Sequence, residues 1–127
     1  MEKIVVKFSA CSSFLPSTKS VDVTLTMDEN GKHYSVEKGW HFPLPDGLPE
    51  SEQTLPERVL RAFTGHAIDR ILAADTIPEN PGVCVLDGNS YDITITKGNV
   101  TKEYTADDTN IGYYPLLRYL ASWYYNS

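Results

Sequence analysis

Between Lys3 and Ala10 the apolar side chains Ile4, Val6, Phe8 and Ala10 alternate with Lys3, Val5, Lys7 and Ser9, the period of two that marks a strand buried on one face. The alternation returns in Val21, Val23, Leu25 and Met27, set against Asp22, Thr24 and Thr26. Asp28-Glu29-Asn30-Gly31 then predicts a tight turn into a third strand, Lys32 to Lys38, with Asn-Gly supplying the positive φ angles. Later in the chain Val83 to Leu86 predicts a short strand. Tyr91, Ile93 and Ile95, alternating with Asp92, Thr94 and Thr96, predict another, which turns at Lys97-Gly98-Asn99 and returns over Val100 to Ala106.

Two segments change to a helical period. Thr54, Pro56 and Glu57 carry the start signals of a helix, after which Leu55, Val59, Leu60 and Phe63 share a face. Ile68, Ile71 and Leu72 fall roughly 150° around from that set at 3.6 residues per turn. Either the helix breaks at Gly65 or one central helix is buried on opposite flanks. A closing helix starts at Pro115 and places Leu116, Leu120 and Trp123 on one face, with Leu117 and Tyr124 beside them. The pattern predicts a single α+β domain over residues 1–127, with about six antiparallel strands and two main helical segments in βββα-βββα order.

Laid over each other at a fixed offset, Ser20 to Thr26 and Ser90 to Thr96 match without a gap, Lys32 meets Lys102 and Tyr34 meets Tyr104. With a gap for the longer loop of the first half, Arg58, Leu60 and Phe63 align with Arg118, Leu120 and Trp123. The match predicts an internal duplication, with halves 1–76 and 82–127 related by a pseudo-twofold axis. The competing explanation is that strands select Thr and β-branched residues, so that two exposed hairpins look alike. On either account Asp22, Thr24 and Thr26 share one polar strand face and Asp92, Thr94 and Thr96 another. If the two adjoined, they would form an acidic, hydroxyl-rich surface suited to a basic protein.

The charge changes the list of partners. With 11 basic residues against 17 acidic ones and a net charge of −6, the field repels phosphate backbones and anionic lipid, which argues against nucleic acid and membrane partners. No segment approaches the ~20 apolar residues of a membrane span. Cys11 and Cys84 stand far apart with no metal-ligand or C-x-x-C spacing, so the chain is expected in a reducing, cytoplasmic compartment.

Gly39 to Pro56 carries Pro43, Pro45, Gly47, Pro49 and Pro56 and reads as a long surface loop. Trp40, His41 and Phe42 on it, with Asp46 and Glu50 nearby, have the anatomy of a protein-recognition site, because aromatics give contact area and prolines reduce the ordering cost. The alternative role for Trp40 and Phe42 is to plug one end of the sheet. His33, His41 and His66 show no metal-ligand pairing, and no nucleotide or phosphate-binding glycine motif or nucleophile elbow occurs; no cofactor, metal or catalytic residue is expected. The expectation is a non-catalytic protein-binding or inhibitory module of bacterial or phage type, facing a basic partner. Two alternatives stand beside it: a small-molecule site or small enzyme with a pocket near Tyr34, His66 and Tyr104, and a structural homo-oligomer.

The segment Asp87 to Tyr124, with a Tyr-led strand, a Gly turn, a returning strand, an acidic loop, Pro115 and a Leu-rich helix, resembles the tail of small bacterial metalloprotease-inhibitor domains of the emfourin type. The resemblance covers under a third of the chain and does not extend to the first half.

Overall fold

Each alternating segment that the structure describes is a strand, and all of them join one sheet. The structure is a computed structural model and describes residues 3–12, 19–40, 55–78, 89–107 and 109–126. The strands are β1 (Ile4–Ser12), β2 (Lys19–Asp28), β3 (Gly31–Trp40), β4 (Asn89–Lys97) and β5 (Val100–Asp107), and the helices are α1 (Glu57–Ala62), α2 (Gly65–Leu72) and α3 (Pro115–Asn126). The sheet is antiparallel throughout, in the order β3-β2-β1-β4-β5. This is an α+β architecture of five strands and three helices among the described residues, where six strands and two main helical segments were expected. The sixth expected strand, Val83 to Leu86, and the expected cap Thr54 lie outside the described residues.

The period of two sorts the sheet into faces. Ile4, Val6, Phe8, Val21, Val23, Leu25, Ile93 and Ile95 are all buried to within 2% and form the inner face. Val59, Phe63, Ile68, Ile71, Leu116, Leu117 and Leu120 complete the same core from the helices. Tyr91 links the layers through its ring, 5.7 Å from Phe8 and edge-on to Tyr124 at 6.3 Å. The sheet's long side chains tie the helix ends down. Lys32 Nζ donates to Leu60 O at 2.6 Å, Lys102 Nζ to Leu72 O at 2.8 Å, and the Tyr104 hydroxyl faces Ile71 O and Ala74 O at 3.0 and 2.9 Å. These donors satisfy carbonyls at helix C-terminal ends, where a positive group also complements the dipole. Among the described residues no helix is long and apolar enough to cross a membrane.

The conflict between the two apolar sets around Gly65 is resolved by a break. Phe63 leaves helical geometry at ψ 87° and Thr64 restarts it from an extended backbone, its Oγ1 accepting from Ala67 N at 3.1 Å. Both Phe63 and Ile68 are fully buried as a result, which a straight helix could not achieve against one sheet face.

The matching segments on β2 and β4 meet the same strand at the same places. Val23 and Ile93 both face Phe8, Leu25 and Ile95 both face Val6, and Asp22 and Asp92 both face Ser9. The hairpins nevertheless differ by one residue at the turn: β2 closes at Asp28↔Gly31, β4 at Lys97↔Val100. In an antiparallel pair hydrogen-bonded residues alternate, and so do faces, so every residue on one face of a strand bonds to the same neighbour. Asp28 belongs to the outer-facing set and Lys97 to the inner one, which sends β3 and β5 to opposite sides of their strands. A rotation that lays β4 on β2 with the buried face inward leaves β5 on the side away from β3. The expected pseudo-twofold therefore does not relate these hairpins; what β2 and β4 share is a common neighbour and a common buried face.

Candidate functional site

The outer face of the sheet carries a continuous set of polar side chains across all five strands. Across the strands its rows read His33-Thr26-Val5-Thr96-Thr101, Ser35-Thr24-Lys7-Thr94-Glu103 and Glu37-Asp22-Ser9-Asp92-Thr105. The two polar strand faces visible in the sequence are brought together, with β1 between them. Asp22, Glu37, Asp92, Glu103 and Lys7 are exposed, and the central threonines are half-buried among their neighbours.

Hydrogen bonds fix part of this surface. Ser9 Oγ donates to Asp22 Oδ1 at 2.6 Å, and the hydroxyls of Thr96 and Thr101 lie 3.1 Å apart across the outer strands. His33 Nε2 stands 3.5 Å from Asp28 Oδ1 at the turn end of the face. Asp22, Asp28, Glu37, Asp92, Glu103 and Asp107 set six carboxylates against Lys7 on the strands and Lys3 just beyond β1. Beside the acidic row, Ser90, Asp92, Thr105, Asp107 and Asn110 line a shallow hollow of about 500 Å³. The Asp107 carboxyl is held below the usual aspartate range by hydrogen bonds from the Thr109 hydroxyl and backbone N–H. The arrangement favours cationic groups held by charge-assisted hydrogen bonds.

The residues singled out in the sequence fall in several places. Trp40 ends β3, its backbone opposite Lys19, and His41, Phe42, Asp46 and Glu50 lie outside the described residues. Tyr34, His66 and Tyr104 are not brought into one pocket. Tyr34 is 36% exposed on the edge strand β3, and Tyr104 is 4% exposed with its hydroxyl committed to the end of α2. Burial, with Tyr114 and Asp75 adding to it, pushes the Tyr104 phenol up, so it stays a neutral donor. His66 lines a separate cleft between α2 and the start of α3, with Arg61, Arg70 and Tyr114. The sequence did not single out Arg61 or Arg70; the clue was that all four arginines of the chain fall on helical segments. Among the described residues no group of three or more His, Cys, Asp or Glu side chains is placed to hold a metal ion.

No protein-family model matches the chain, and neither a curated protein nor a solved structure matches it significantly, so the likeness of its C-terminal third to the emfourin-type inhibitors gains no support from these comparisons.

Proposed function

We propose that this chain is a non-catalytic binding module that receives a basic protein surface on the outer face of its sheet. The observation that carries the reading is the row Glu37-Asp22-Ser9-Asp92, its three carboxylates exposed, beside a hollow lined by Asp92 and Asp107. Carboxylates spaced along neighbouring strands offer a rigid pattern to lysine and arginine side chains, and the flanking hydroxyls accept or donate as the partner requires. Such a surface raises the association rate more than it raises affinity, and salt weakens it. Trp40, His41, Phe42, Asp46 and Glu50, expected from the sequence to meet a partner, belong to the same reading, with Trp40 and Phe42 as its aromatic anchors.

The test is affinity capture from the source lysate, with mass-spectrometric identification and a salt series. The bait proteins are the intact chain, an Asp22→Asn, Glu37→Gln, Asp92→Asn triple variant and a Trp40→Ala, Phe42→Ala double variant. The expected result is one basic protein, captured less as salt rises, lost with the triple variant and weakened with the double variant. Capture that survives the triple variant, capture of an acidic protein, or a salt-insensitive self-association of the chain would each overturn the reading.

A further inference from the structure

The cleft between α2 and the start of α3 has the opposite electrostatic character to the rest of this acidic chain. Its volume is about 200 Å³, room for about seven waters' share of liquid and so for a small organic molecule. Ala62, Ala67, Ile71 and Leu116 provide apolar walls, and Arg61, His66 and Arg70 stand around them with no carboxylate in the lining. Arg61 is shared with Glu57 at 2.8 Å. Arg70 and His66 have no ion-pair partner among the described residues.

Two further features reinforce that character. Thr64 accepts the first backbone bond of α2, from Ile68 N, and Tyr114 accepts the first of α3, from Arg118 N. Both residues line the cleft, so the partial positive charge of two helix N-termini adds to that of the side chains. Tyr114 is buried, 6% exposed. Its phenol is pushed up by burial and by Tyr113, with Arg70 close enough to oppose the shift, so Tyr114 presents a neutral hydroxyl.

We propose that this cleft binds a small organic anion, a carboxylate or phosphate head on a compact apolar body. The Arg70 guanidinium pairs with the head, whose two oxygens match its fork of donors, and the body rests on Ala67, Ile71 and Leu116. His66 and the first-turn amides of α2 flank the same head. The site lies across the sheet from the acidic face, so either can fail without the other.

Amide-resolved NMR titration with benzoate, phenyl phosphate and benzylamine tests the assignment. Benzoate, phenyl phosphate or both are expected to shift the amides of His66, Ala67 and Leu116 saturably, and the stronger of the two identifies the head group. Benzylamine is expected to leave them in place. Arg70→Gln should weaken the anion at least about tenfold, since the head loses its charge-assisted pairing with the guanidinium fork. Ala67→Glu, which puts a carboxylate in the cleft, should abolish binding; amides of β1 and β2 report that both variants stay folded. Equal shifts from benzylamine, no saturable shift from either anion up to its solubility limit, or unchanged affinity in both variants would overturn it.

Discussion

The hairpins β2–β3 and β4–β5 begin from nearly the same sequence and end on opposite edges of the sheet. Both have two-residue turns, both flank β1, and both send a lysine to a helix end: Lys32 to Leu60 O of α1, Lys102 to Leu72 O of α2. Beyond the turn they part. Tyr34 lies opposite Leu25 and Tyr104 opposite Ile93, so the two tyrosines that align in sequence sit two residues apart along the sheet. Tyr104 stands where the first hairpin has Val36, since Val23 and Ile93 both face Phe8. A shift of one residue in where the turn closes decides which edge the returning strand takes, and that decides which residues it buries.

The largest effect expected of this difference is on stability. Tyr104→Ala removes a core ring and the donor to Ile71 O and Ala74 O, and should cost about 3–5 kcal/mol. Tyr34→Ala, on an exposed edge, should cost less than about 1 kcal/mol. Tyr104→Phe keeps the ring and should lose about 1–3 kcal/mol for the carbonyls left short of a donor. Urea unfolding of the three variants measures this, and equal losses at Tyr34 and Tyr104 would break the comparison.

A smaller contrast lies in the turns themselves. The described residues with positive φ are Gly31 at 112° and Gly98 at 58°. Gly98 opens its turn in the left-handed region that asparagine tolerates, whereas Gly31 follows the Glu29-Asn30 turn at an angle that side chains rarely adopt. Asp28 supports that first turn, accepting from Asn30 N at 2.8 Å. Gly98→Asn should therefore stay within about 0.5 kcal/mol of the parent. Gly31→Asn should lose about 1–3 kcal/mol through backbone strain, since a Cβ at Gly31 meets nothing within 4 Å. Thermal unfolding read by circular dichroism separates the pair, and a tolerated Gly31→Asn would show that the two turns are equivalent after all.

Much of this was legible in the sequence because strand and helix periods are local. Alternation located β1, β2 and β4 and the turns located β3 and β5, the offset of roughly 150° between the apolar sets on either side of Gly65 posed the break that Thr64 provides, and Pro115 marked the start of α3. Strand order was not legible, because it depends on which neighbour a strand pairs with. The match between residues 20–26 and 90–96 showed in the sequence, but not that both strands flank β1 in the same register, an arrangement without the expected twofold. The acidic face was half visible: alternation put Asp22 with Thr24 and Asp92 with Thr94, but only the place of β1 between them makes one surface. The cleft was represented by His66 alone, because Arg70 and Tyr114 are 44 positions apart in the chain and meet only through helix packing.

The smallest expected effect concerns how the second hairpin ends. Where β3 runs on at Trp40 into the proline-rich segment, β5 stops at Asp107, whose carboxylate accepts from Thr109 while its own N–H donates to Asn110 Oδ1 at 2.9 Å. Asn110 in turn donates from Nδ2 to Ile77 O at 3.1 Å, tying the turn to the segment after α2. The Thr109 bonds favour the ionised carboxylate, so the folded-state pKa lies below the unfolded value. The stabilisation is thus complete above the unfolded pKa, about 3.9, and is lost as pH falls through the lower folded value. Thr109→Val removes the hydroxyl donor and leaves the backbone one. The Asp107 carboxyl, followed by NMR, should then titrate at higher pH than in the parent, with a slight rise in the pH of acid unfolding. An unchanged titration would place the shift in the backbone bond and make the stop at Asp107 a property of the turn rather than of its threonine.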